Sequence, residues 1–390
     1  MTIDFDFIGV EPENNLKELD MAFYPNRQLT NLASSITVFA ITIGLVVAQS
    51  ATQKSLAQTS LGNGAGASTV NALLAGLKTV APGFTFTYSP VGSGAGLTAF
   101  FTQTAPSGTP SPISFAASDD PVAATQTVRG GRGYVQVPVI GVGITLAYNS
   151  AGLTVPAGGI KLSRASYCGI LNGSITNWNA PSISTDNGRQ IALNVPIKVV
   201  RRSDSSGSTF VLTSHLNTAC KPAATTGIPA ANVWNRGAGT TVSWPSTFIA
   251  ASGGGGVATA IASTRGAIGY VDSATRLSKN LPAAVLRNKA GNYIAPSTAA
   301  ITDALLGGTI VKYGTNNKLV RIDNLNDPTR AGAYPISTAS YLLFYSDATI
   351  VNAFKTFITS AFGSAGDAKA TSLGYAPLPA SIKTASRGVF

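Results

Sequence analysis

The most constraining feature of this chain is a recurrent unit in which a short apolar run ends in a loop of Gly, Ser, Thr or Asp. It occurs four times, and three of the loops feed a helical pattern. Gly62 to Ser68 opens a helix whose Val70, Leu73, Leu74, Leu77 and Val80 recur at helical spacing. Thr85-Phe86-Thr87-Tyr88 alternates as a strand and runs into Gly92-Ser93-Gly94-Ala95-Gly96. Ile113 to Ala117 ends at Ser118-Asp119-Asp120-Pro121, and Ile197 to Val200 leads into Arg201-Arg202-Ser203-Asp204-Ser205-Ser206-Gly207-Ser208-Thr209. Val135–Tyr148, Ala267–Val271 and Tyr341–Tyr345 read as further strands, and Val351–Phe362 as a late helix. Strands alternating with helices predict an α/β architecture, in which ligands gather beyond the carboxyl ends of the strands.

Composition removes several alternatives. The chain is 44% hydrophobic and 11% charged, where roughly a quarter charged is ordinary, so it folds rather than staying disordered. Its 41 Gly follow no triplet period, which excludes collagen. Two Cys and one His (His215) leave no cysteine zinc cluster and no multi-histidine metal site, so no metal or cofactor is expected. From residue 51 onward there are 25 Lys and Arg against 10 Asp, a net +15. That balance favours anionic partners. The basic residues are scattered, with Arg201-Arg202 the longest run, so nucleic acid is not expected as a partner.

Residues 1–50 read as an upstream extension followed by a signal peptide. Ile36–Ala48 is uncharged and apolar for thirteen residues, short for a bilayer span of about 20 but suited to a signal core. Arg27 precedes it, and Ala48-Gln49-Ser50 provides small residues for a cut before Ala51. The alternative is a buried core strand or helix. Six acidic residues precede Met21, which suggests Met21 as the start and residues 1–20 as an extension. Export places the mature chain in the periplasm or outside the cell.

The loops share one chemistry. Helix N-termini present unpaired N–H groups and about half a positive charge. Gly92, Gly94, Gly96 and Gly207 let amides approach a ligand, and Ser68, Ser93, Ser206 and Ser208 add hydroxyl donors. Arg202 supplies a forked cation. Each piece alone has an ordinary reading: an N-cap, a solvated basic pair, a turn before proline. Together they describe a site for one small tetrahedral anion. Gly92–Thr98 lacks the lysine of a nucleotide P-loop, and no G-x-S-x-G elbow accompanies His215, which reads as a surface or packing residue. An enzyme is therefore not expected.

These motifs resemble those of the PstS family, the phosphate-binding proteins of bacterial phosphate ABC transporters, over about residues 61–390. Gly64-Ala65-Gly66-Ala67-Ser68 resembles the family's G-A-G-A-T loop, Gly92–Gly96 its G-S-x-x-G loop, Phe115–Pro121 its F-G-A-S-D-x-P, and Arg201–Ser208 its R-R-x-D-x-S-G-T. The resemblance implies phosphate contacts from Ser68, Ser93, Asp119, Arg202, Ser206, Gly207 and Ser208, with Asp204 fixing the Arg202 fork. Ser68 and Ser208 stand where the family usually has Thr, and Thr69 where Phe is usual. A related subgroup, the DING proteins, joins cysteines at the places of Cys168 and Cys220, which implies that disulfide here.

The resemblance further implies a two-lobe type II periplasmic-binding-protein fold with a hinge and an interlobe ligand cleft. Lobe 1 is expected to hold 51–143 with 338–390, and lobe 2 to hold 144–337. Phosphate would close the lobes, and the permease subunits of a phosphate ABC transporter would read the closure, the binder acting as a monomer. Asp119 would accept the hydrogen that phosphate carries and sulfate lacks. The alternatives are a secreted phosphohydrolase and a binder of another tetrahedral oxyanion.

Overall fold

The structure is a computed structural model that describes residues 58–222 and 228–390. The expectations for residues 1–50, Met21 and the cut before Ala51 lie outside the described residues.

Its strands are β1 (Thr59–Gly66), β2 (Phe84–Ser89), β3 (Ile113–Ser118), β4 (Tyr134–Tyr148), β5 (Lys161–Leu162), β6 (Lys198–Arg202) and β7 (Ile249–Ala251). They continue with β8 (Ala267–Asp272), β9 (Val285–Arg287), β10 (Tyr293–Ile294), β11 (Thr309–Tyr313), β12 (Leu319–Asp323) and β13 (Ser337–Tyr345). The main sheet runs β2-β1-β3-β13-β4-β8-β6-β7, and a small second sheet runs β10-β9-β5. The helices that matter below are α1 (Asn71–Val80), α2 (Ser93–Thr102), α3 (Arg164–Asn172), α4 (Pro181–Asp186), α5 (Gly207–Ala219) and α6 (Gly253–Ser263).

β4 joins the two halves. Tyr134–Gly143 runs antiparallel to β13 with a register shift that leaves Val139 unpaired in that ladder, and Ile144–Tyr148 pair with β8. The strand therefore leaves one half and enters the other between Gly143 and Ile144. Beside this crossing the Ile144 amide donates to Ile336 O at 2.9 Å, just before β13 begins. Nearly all of β4 is buried, as expected of a strand covered on both faces. This is the two-lobe type II binding-protein fold. The hairpin β11–β12 hangs on the first half, with Leu319 opposite Gln136 and Gln136 Nε2 donating to Tyr313 OH at 2.9 Å.

Local chemistry explains the elements. Leu73, Leu74 and Leu77 form the buried stripe of α1. β1 is a difference from the linear reading, which saw Gly62–Ser68 only as a helix opener. Glycine has poor strand propensity, yet here it is required by crowding: a Cβ on Gly64 would lie 2.1 Å from the Phe115 ring of β3. Ser163 caps α3 by accepting the Ser166 amide, and Cys168 of α3 is bonded to Cys220, which ends α5.

Candidate functional site

β1, β2 and β3 run parallel, so the chain leaves all three at the same edge. Backbone hydrogen bonds draw the exits together: Ala67 N to Ala117 O at 2.8 Å and Gly92 N to Gly66 O at 2.9 Å. Gly66 has a φ of +146°, and a Cβ there would meet Ala117 O at 2.0 Å, so only glycine fits. This edge carries Ser68, Ser93 at the start of α2, and Asp119. Facing it from the second half are the end of β6, with Arg202, and the start of α5. Ser206 caps α5 by accepting the Thr209 amide at 3.2 Å, leaving Gly207 and Ser208 in its first turn.

The two edges touch. Arg202 Nη1 donates to Ser68 Oγ at 3.3 Å, and Gly94 N donates to Ser205 O at 3.3 Å. A Cβ on Gly207 would sit 2.3 Å from Ser93 Oγ and 2.8 Å from the Asp119 Cβ. Ser93, Asp119, Arg202, Ser206 and Ser208 are all buried. The seven residues singled out from the sequence thus converge on one closed cleft.

Arg202 is held from three sides. Its Nε donates to Asp204 Oδ1 at 2.7 Å, its Nη2 pairs with Asp204 Oδ2, and its backbone amide donates to Tyr270 OH at 3.0 Å. A guanidinium has five N–H donors, so the Asp204 fork and Ser68 leave two for another acceptor. Burial works to raise the Asp204 carboxyl, but the hydrogen bonds and charge of Arg202 outweigh it and hold the group below the usual carboxylate range.

Asp119 is 1% exposed. Its Oδ1 accepts hydrogen bonds from the Thr69 hydroxyl at 2.7 Å and from the Ser340 hydroxyl, while its Oδ2 is buried with no partner among the described residues. Burial raises its carboxyl pKa, against the lowering effects of Ser340, Thr69 and the Arg202 charge. A buried carboxylate oxygen without a donor is costly, and a ligand hydrogen would satisfy it.

Linear reading missed several contributors. Thr69 entered only as a departure from Phe, yet its hydroxyl holds Asp119. Ser340 lies in β13 beside two other buried hydroxyl residues, Ser337 and Thr338, so no local signal singled it out. The start of α6 adds Gly253 N to Asp204 Oδ1 at 3.0 Å and Gly254 N to Ser68 Oγ at 3.3 Å. His215 is buried packing: its Nε2 faces Tyr167 OH at 3.0 Å and its Nδ1 faces Asn326 O at 2.8 Å.

Comparison with known proteins agrees with this geometry. A family model described as a PBP superfamily domain matches residues 47–361. Phosphate-binding protein PstS 3 of Mycobacterium leprae is 31% identical over 308 residues, 78% of this chain and 78% of that protein. The chain belongs to the PstS family of phosphate-binding proteins. Among solved structures similar to this PstS-family chain is a high affinity periplasmic phosphate-binding protein (PfluDING) bound with phosphate. It is 27% identical with a TM-score of 0.63, covering 84% of this chain and 93% of its own. The phosphate-binding protein from Stenotrophomonas maltophilia is 25% identical with a TM-score of 0.60 over the same shares. All three are named as phosphate-binding proteins.

Proposed function

We propose that this protein binds inorganic phosphate outside the cytoplasm and delivers it to an ABC-type phosphate importer. The observation that carries the reading is Asp119: its Cβ stands against Gly207 in the first turn of α5, and its Oδ2 is buried with no hydrogen-bond partner among the described residues. A cation and helix amides attract an oxyanion, and an acceptor among them demands that the oxyanion bring a hydrogen.

In this reading Ser68, Ser93, Asp119, Arg202, Ser206, Gly207 and Ser208 contact phosphate, and Asp204 positions Arg202. Lobe 1 holds 51–143 with 338–390 and lobe 2 holds 144–337, the hairpin at 309–323 leaning on lobe 1. Ligand contacts from both lobes favour the closed form, which shifts the open–closed equilibrium. The protein works as an exported monomer, and the permease subunits recognise the closed form. A phosphohydrolase would need a base near the anion, and His215 is instead engaged with Tyr167 and Asn326.

Titration calorimetry of the purified protein with phosphate, arsenate and sulfate tests the proposal. Phosphate binding with little or no sulfate binding is expected, and sulfate bound as tightly as phosphate would refute it.

A further inference from the structure

The proposed site uses one acid, yet a second buried carboxylate stands beside it. Asp272 ends β8 and is 1% exposed. Its Oδ1 accepts the Thr275 amide at 2.9 Å, while its Oδ2 is buried with no hydrogen-bond partner among the described residues. A methyl group placed on Gly254, in the first turn of α6, would lie 3.4 Å from Ser68 Oγ, 3.6 Å from Asp272 Oδ2 and 3.7 Å from Thr275 Oγ1. Three oxygens therefore surround one point at the start of that helix. Ser68 Oγ already accepts Gly254 N and Arg202 Nη1, both at 3.3 Å. With both lone pairs engaged, its own hydrogen is left for an acceptor, either the anion or Asp272.

We propose that Asp272 is a second acid of the cleft and sets the charge form in which the anion is held, taking one proton from solvent when a phosphate dianion enters beside Ser68. The proposal rests on the phosphate reading above. No bond of phosphate is made or broken; the acid form of the buffer gives up the proton, which bonds to Asp272 Oδ2, and leaves its conjugate base in solution. The groups facing Asp272 are Thr275 on its own turn, Ser68 from β1's exit, Asp119 beyond β3, and Tyr375. The cation beyond Ser68 is Arg202, already forked onto Asp204. A dianion thus enters beside two buried carboxylates, Asp119 and Asp272, and the nearby guanidinium is already partly committed to Asp204. Burial pushes the Asp272 carboxyl up to about 6, with hydrogen bonds from Thr275 opposing the rise and the Asp119 charge adding to it. A free protein at about pH 8 therefore holds Asp272 mainly ionised, and added negative charge protonates it.

The test is phosphate calorimetry at about pH 8 in buffers of different ionisation enthalpy, which counts the protons taken up. The wild type is compared with Asp272→Asn and Asp272→Ser, both of which keep a good cap for the following turn. Wild type should take up a measurable fraction of a proton more than either variant. Above pH 7 its affinity should fall more steeply than theirs, by up to about tenfold per pH unit. Equal proton counts in all three proteins overturn the proposal. So does a wild-type count near zero, which needs no variant to fold. Absence of any phosphate binding by wild type would instead overturn the parent reading.

Discussion

Arg202 reaches across the cleft to Ser68: its Nη1 donates to the serine hydroxyl at 3.3 Å, between residues 134 positions apart. The same guanidinium is clamped by Asp204 on its Nε and Nη2 edge. One side chain thus carries the positive charge and a contact between the halves.

Replacing Arg202 should therefore be the most damaging single change to binding. Arg202→Ala leaves Asp204 and the anion without their shared cation, and a loss of at least about 2 kcal/mol, roughly 30-fold in affinity, is expected. Arg202→Lys should recover only part, because an ammonium cannot reproduce the fork. Calorimetry with phosphate decides it; near-native affinity in the alanine variant would contradict the proposed site.

Asp119→Asn should change selectivity more than fold. The amide can donate where the carboxylate only accepts, so sulfate should gain affinity relative to phosphate by tenfold or more, about 1.4 kcal/mol. Competition between the two anions measures this, and an unchanged ratio would count against Asp119 as the discriminating group.

Gly207→Ala probes closure. Its Cβ would lie 2.3 Å from Ser93 Oγ and 2.8 Å from Asp119 Cβ, contacts made only where the halves meet. The variant should fold with native stability yet bind phosphate at least tenfold more weakly, about 1.4 kcal/mol. Small-angle scattering with and without phosphate should show a protein that no longer compacts.

Asp120 makes stability depend on pH. Burial first, and then the charge of Asp119, push its carboxyl up to about 7 from 3.8. A folded-state value above the unfolded one gives stability that is fully present below about pH 4 and is lost as pH rises through 7. Asp120→Asn should therefore stabilise the phosphate-free protein above pH 7, on the order of 2–4 kcal/mol, and do little at pH 4. Denaturant melts at the two pH values check the sign.

The Cys168–Cys220 bond closes a separation of 52 residues. On the chain-entropy account its removal in a double Cys→Ala variant should cost about 4 kcal/mol. Urea unfolding in the absence of reductant measures the difference. Phosphate affinity should change little, because the bond lies at the far end of α5 from Gly207.

The apolar runs at 113–117, 135–148 and 341–345 were legible as strands because their side chains are buried over nearly the whole run. β1 was hidden because its glycines Gly62, Gly64 and Gly66 answer to Ser114, Phe115 and Ala117 of β3, about fifty positions away, rather than to any local period. The motif loops named the groups that face the anion. The residues that orient those groups left no such trace: Ser340 meets Asp119 across 221 positions, and Gly254 meets Ser68 across 186. Linear spacing carries no signal for partners chosen by how two halves of a sheet come together.

The continuity of β4 through Gly143 and Ile144 limits how the molecule can open. Hydrogen bonds on either side tie the same strand into both halves, and in the proposed function the halves would swing about that narrow waist. On that proposal, occupancy of the cleft would be converted into an angle between the halves. An angle is a signal that a membrane partner can read from the outer rims without ever touching the ion inside.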